Sequence, residues 1–148
     1  MADQLSFATK LAHNIGLIVL ESQELERHLK FVVAISNHSA TKSLIERHER
    51  LRNRSLGEVV KRLMGNLTVT SGRIEDLEAY FRSLLDRRNK VVHHFFEAYA
   101  DDLKAERHTE ILASLAALRD ELQQVSRSFR SANKNILDIW LEEQSVAT

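Results

Sequence analysis

Cysteine and proline are both absent from this 148-residue chain, and glycine occurs only four times. Without cysteine there is no disulfide, no thiolate nucleophile and no zinc–thiolate centre. Without proline, and with so few glycines, a turn-rich β architecture lacks its usual corner residues, and long helices joined by short polar corners are expected instead. The same scarcity excludes a Gly-rich phosphate loop and a nucleophile elbow. An excess of charge of one sign is also missing, since 21 Lys and Arg balance 21 Asp and Glu. That argues against coating nucleic acid or anionic membrane by bulk electrostatics, though not against a small local basic site. The longest apolar run, Ile15 to Leu20 with one glycine inside it, falls far short of the roughly 20 residues of a membrane span. The opening Met1-Ala2-Asp3-Gln4 carries no basic n-region. A single cytoplasmic domain over 1–148 with no membrane partner is therefore expected. Asn66-Leu67-Thr68 fits the glycosylation pattern, but without a secretory route it reads as a chance match.

What the chain does contain is a helical code. Hydrophobic residues at 43% and charged residues at 28% are the mix of a globular protein able to bury a core. Leu5, Ala8, Leu11, Ala12, Ile15, Ile18, Val19, Ser22, Leu25, Leu29, Val32, Val33 and Ser36 recur at three- and four-residue steps and predict a helix over about 4–37. Leu17, Leu20, Phe31 and Ala34 lie off that stripe, so two covered sides are expected. Asn37 to Thr41 makes a corner, followed by a short polar helix over about 41–52. Ser55-Leu56-Gly57-Glu58 is a capping box opening a helix that carries Leu56, Val59, Val60, Leu63 and Met64 and stops at Gly65-Asn66. Residues 65–73 read as the loosest connection.

The next helix is expected from about Arg73 to Ala100, with Asp101-Asp102 capping the last helical stretch. From Leu103 the stripe Ile111, Leu115, Leu118, Leu122, Val125, Phe129, Ala132, Ile136 and Trp140 continues unbroken, with a bend favoured near Ser126–Ser131 where helix propensity is weakest. The fold class these patterns imply is all-α, an antiparallel bundle of four to five helices.

One place breaks the pattern. In the helix expected over 73–100, the apolar stripe of Leu77, Tyr80, Phe81, Leu84, Leu85, Val91, Val92, Phe95, Phe96 and Tyr99 is interrupted by Arg88. An unpartnered buried guanidinium costs several kcal/mol, so such a residue is paired, hydrated or used. Asn89 and His93, four apart, share nearly one face. Arg88 and His93 stand about 140° apart around the helix and about 7.5 Å apart along it, close enough for a long side chain to reach round. Arg82, Arg87, Arg88 and Lys90 surround Asp86 alone, four positive charges against one negative. That is a candidate anion site, with arginine suited to bidentate phosphate contact and histidine to proton exchange near neutrality. The competing reading pairs Arg88 with a carboxylate of a neighbouring helix and leaves His93 as a polar residue at the stripe's edge.

Leu85-Asp86-Arg87-Arg88-Asn89-Lys90-Val91-Val92-His93-His94-Phe95-Phe96 resembles the signature of the HEPN superfamily, small helical domains of bacterial defence and toxin systems. Its hallmark is an Arg, four to six residues, then a His, often with Asn directly after the Arg. Arg88, Asn89 and His93 match it residue by residue. The pairs Arg87–His93 and Arg88–His94 also satisfy the spacing, but only Arg88 with His93 puts Asn89 directly after the Arg. The resemblance implies a HEPN-like fold and a metal-independent endoribonuclease, a toxin or phage-defence effector, acting as a homodimer with one composite site. His93 would serve the ribose 2′-OH or the leaving oxygen, Arg88 the scissile phosphate, and Asn89 the orientation of either. Arg87, Lys90 and His94 would make supporting phosphate or RNA contacts. The partners implied are an RNA substrate, a second copy of the chain, and an antitoxin or neighbouring-gene protein. No cofactor and no metal are implied. Toxins paired with nucleotidyltransferase antitoxins commonly carry a Tyr two residues after the His, and Phe95 stands there instead, so regulation through that tyrosine is not expected.

Other readings are less well served. His93 and His94 are adjacent and diverge by about 100° on a helix. No His-Glu-x-x-His occurs, which leaves a metal site only to histidines of separate helices. The alternating charges from Glu46 to Arg54 read as a solvated face. A non-catalytic binding or scaffold module of the same fold is the main alternative, and a nucleotide-binding regulatory domain a third.

Overall fold

The computed structural model describes residues 6–36, 43–66 and 74–146, and all its regular elements there are helices. They are α1 (Phe7–Ser36), α2 (Leu44–Glu49), α3 (Leu56–Asn66), α4 (Ile74–His93), α5 (Phe95–Ala98), α6 (Ala100–Lys104) and α7 (His108–Val146). The corner expected at 37–41 and most of the loose connection over 65–73 lie outside the described residues.

Local chemistry explains where several helices begin. Ser43 and Glu46 form a reciprocal capping box at the start of α2. The expected box at α3 is present too: the Ser55 amide donates to Glu58 Oε2 at 2.9 Å, and the Glu58 amide donates to Ser55 Oγ at 3.4 Å. Asp101 and Asp102 do not cap the last helix as expected. They sit inside α6, and Asp102 instead pairs with Arg107 at 3.2 Å. The corner before α7 turns at Glu106, whose φ of 54° is in the left-handed region, a conformation that costs a non-glycine residue about 1–2 kcal/mol.

α7 is one unbroken 39-residue helix, roughly 58 Å long, without the expected interruption near Ser126–Ser131. The weak helix formers there are held by tertiary contacts. Ser126 is buried and Phe129 packs on the core. Just beyond, Asn133 Nδ2 donates 3.0 Å to the carbonyl of His28 on α1.

Helix directions are fixed by contacts between elements. Phe7 stacks on His108, Gln123 reaches Glu21, and Asn133 bonds His28. Numbers rise together along that seam, so α1 and α7 run parallel, contrary to the expected antiparallel arrangement. Phe81 meets Phe129 and Arg87 meets Glu121, numbers running oppositely, so α4 is antiparallel to α7. The short-corner rule that predicts antiparallel neighbours does not govern α1 and α7, because α2 to α6 intervene between them.

The core gathers Ile18, Leu25, Leu29 and Val33 of α1, Val59 and Leu63 of α3, Phe81, Leu84 and Val91 of α4, and Ile111, Leu115 and Leu122 of α7. Burial of such side chains contributes about 1.5–3 kcal/mol each and is the main force holding the helices together. Ala34 is buried off the main α1 stripe as expected, whereas Leu20 is exposed. The α1 seam also buries Lys30, whose Nζ donates to Glu26 Oε1 at 2.6 Å and to the Arg52 carbonyl at 3.0 Å, tying α1 to the segment before α3. The side chain of Trp140, expected in the core, falls outside the described side chains. No helix among the described residues is long and apolar enough to cross a membrane.

Candidate functional site

The helix expected over 73–100 ends at His93 and restarts as α5 and α6. His94 at φ −132°, ψ 28° leaves the helical region. Four consecutive ring side chains, His93 to Phe96, meet there, each of modest helix propensity. The chain stays close to its helical path, with the His94 amide donating to the Lys90 carbonyl and the Ala98 amide to the His94 carbonyl. After the break Phe95 enters the core while Phe96 is 76% exposed. Phe96, assigned to the apolar stripe, therefore stays outside the core.

Arg88, Asn89 and His93 come together at this terminus. Arg88 Nη1 donates to Asn89 Oδ1 at 2.9 Å and lies 3.2 Å from His93 Nε2. A guanidinium nitrogen only donates, so His93 Nε2 is the acceptor of this contact. Both hydrogens of Nη1 are thereby used. Nη2 makes no hydrogen bond among the described residues, and Nε is buried without a partner. An unsatisfied buried donor costs about 1–3 kcal/mol. Asn89 and His93 are exposed and Arg88 is half-buried.

The tertiary structure redistributes the local excess of positive charge. Arg82 is paired with Glu78 at 2.8 Å and Lys90 with Asp86 at 3.0 Å. Arg87 lies fork to fork on Glu121 of α7, with Nη2 2.9 Å from Oε1. That hydrogen bond raises the Arg87 pKa and lowers that of Glu121. Tyr80 also bonds Glu121; burial first, and this bond second, push its hydroxyl up to about 12. Of the four cations, Arg88 alone meets no carboxylate among the described residues. His94 turns toward Glu97, with Nδ1 3.6 Å from Oε2, and its ring lies 6.4 Å from that of His93 at 70°.

Two clefts lie near the cluster; Asn89 lines one of them, and Arg88 and His93 line neither. An open one is lined by Asp86, Asn89, Lys90, His94, Glu97 and Ala98. A more enclosed one, between the α4–α5 corner and α7, is lined by Arg87, Lys90, Ala98, Tyr99, Ser114, Ala117 and Leu118. Glu121 and Ser114 carry no local sequence signal as site residues, since they reach this region only through packing of α7 on α4. Among the described residues no three His, Asp or Glu side chains gather as a metal site.

Fold and site together define an all-α protein with a solvent-facing Arg–Asn–His cluster at a helix terminus. Compared with known proteins, the chain matches no family model, no curated protein and no solved structure.

Proposed function

We propose that this chain is a metal-independent endoribonuclease of HEPN type, a cytoplasmic toxin or defence effector that cleaves RNA at a composite site between two copies of a helical bundle. The observation that carries this reading is the state of Arg88. It interrupts an apolar stripe, no carboxylate among the described residues neutralises it, and it contacts both Asn89 and the exposed His93. A guanidinium in that state suits a phosphate, and the adjacent imidazole suits proton transfer.

In the proposed reaction a base removes the ribose 2′-OH proton and the oxygen attacks phosphorus. The bond to the 5′ oxygen breaks, and that oxygen receives a proton. A cyclic phosphate and a 5′-OH result, and DNA, lacking the 2′-OH, is not cut. The step needs both a base and an acid, whereas each chain places one histidine on Arg88. A second copy related by a two-fold axis supplies the other, and Phe96, exposed beside His93, is a fitting anchor for it. Arg88 balances the charge developing on the phosphoryl oxygens. An antitoxin or neighbouring-gene protein would restrain the activity.

The test is cleavage of single-stranded RNA in EDTA by the purified protein. His93→Ala is expected to lower the rate by about 10²–10⁴-fold with an unchanged circular dichroism spectrum. Equal cleavage by wild type and variant removes His93 from the reaction. The second reading, a non-catalytic module of the same fold, is favoured by one feature: both Nη1 hydrogens of Arg88 are satisfied within the chain. It predicts no cleavage of any RNA.

A further inference from the structure

We infer that the cleft between the α4–α5 corner and α7 is a nucleobase pocket, which receives an unpaired base of the strand held at Arg88. The inference rests on the ribonuclease reading for its location along a substrate, though not for the binding itself. The cleft's lining combines Ala98, Ala117 and Leu118 with two cations, Lys90 and the Glu121-paired Arg87. Tyr99 lines it too. Its ring stacks on the buried Phe95, 4.9 Å away and 27° from parallel, so it is held as a rigid plate. Base stacking on such a ring is tolerant of sequence because every base presents a π-face.

Besides those cations the cleft carries two hydroxyls. The Tyr99 hydroxyl and Ser114 Oγ lie 3.3 Å apart, and either can be the donor. Each is thus free to reorient toward a base donor or acceptor. Lys90 lines this cleft and the open one beside it, and Asn89 lines the open one. Asn89 Oδ1 in turn accepts from Arg88. Lys90 and Asn89 thus lead round α4 from the pocket toward the guanidinium, which itself lines neither cleft, and a bound strand would continue along that side. The partner of Lys90 along this path, Asp86, forms an exposed pair one helical turn away, the kind that contributes little and yields to a phosphate.

A recess of this kind takes a base only after it has left the stack, so single-stranded RNA or a loop fits and a duplex does not. The other wall of the path carries Glu97, which opposes a second phosphate and confines the strand to the Lys90 side.

Nucleotide binding tests the pocket directly. The four ribonucleoside 3′-monophosphates are titrated into the full-length protein and followed by amide chemical shifts. Saturable shifts are expected at Ala98, Tyr99, Ser114 and Ala117, and Ala117→Trp, at an exposed helical position, should abolish them. Ala98→Trp, on the facing wall, repeats the test if the first variant melts early. For single-stranded RNA the same variants should raise KM by about tenfold or more and alter which dinucleotides are cut. Nucleotide binding without cleavage of any RNA would uphold the pocket and defeat the ribonuclease reading. Absence of shifts at these residues, or a cleavage pattern unchanged in both tryptophan variants, would overturn the pocket.

Discussion

Arg87 of α4 grips Glu121 of α7 fork to fork, with Nη2 2.9 Å from Oε1, while the next residue, Arg88, meets no carboxylate among the described residues. The two neighbours differ because they leave the helix about 100° apart. One faces the packed surface of α7, the other the terminus near His93.

Loss of the α4–α7 pair should loosen the fold more than an exposed ion pair would. Glu121→Gln removes the charge and one of the two acceptor oxygens of a two-pronged, partly buried bond and weakens the contact with Tyr80. A destabilisation of about 1.5 kcal/mol is expected, read from urea unfolding. A loss below a few tenths would show that the pair contributes no more than a surface contact.

Arg88→Lys keeps the charge and gives up the fork. An ammonium cannot present the same planar set of donors to Asn89 Oδ1, His93 Nε2 and a phosphate together. Cleavage should fall by about 10²-fold or more, with the melting temperature little changed. Full activity in the lysine variant would mean that only the charge matters.

Phe96→Asp tests the proposed second copy. The side chain is 76% exposed, so monomer stability should change by no more than about 0.5 kcal/mol. Light scattering on a sizing column should show the wild type as a dimer and the variant as a monomer, with RNA cleavage lost alongside. A wild-type protein that stays monomeric at high concentration would contradict the composite site.

His28 makes stability depend on pH. It is buried on α1 where α7 packs, its Nε2 has no hydrogen-bond partner among the described residues, and Glu24 Oε1 is 3.6 Å away. Burial first, then the nearby Arg27, lower its pKa from 6.5; Glu24 opposes this shift and Arg130 adds to it. The unfolded chain then binds the proton more tightly than the folded one. The stability His28 allows is present above pH 6.5 and declines as pH falls below that value toward the lowered folded pKa. Urea midpoints at about pH 7.5 and about pH 5.5, on either side of the ordinary histidine value, should differ in that direction, and His28→Gln should flatten the difference.

Much of the fold was legible along the chain. The stripe Ile18, Leu25, Leu29, Val33 marks the buried side of α1, and Leu56, Val59, Val60, Leu63 that of α3. The capping box at Ser55 and Glu58 sits where the spacing puts it. Arg88, Asn89 and His93 were legible as candidates because a cation inside an apolar stripe is a local anomaly. The helix break at His94 was not, since neither proline nor glycine marks it. The buried Lys30 and Asn133 were equally hidden, because each is satisfied by a main-chain carbonyl distant in sequence.

Periodicity, capping and the scarcity of breakers by themselves determined that the chain is helical, roughly where its helices begin, and which residues would be candidates. These are nearest-neighbour properties of the backbone and its side chains, and they act within a few turns. Only the tertiary structure decided that α1 and α7 run parallel, that α7 continues through its weakest stretch, and that Arg87 is neutralised while Arg88 is not. Those outcomes depend on which distant groups packing brings within hydrogen-bonding range, and Glu121 stands 34 positions beyond Arg87.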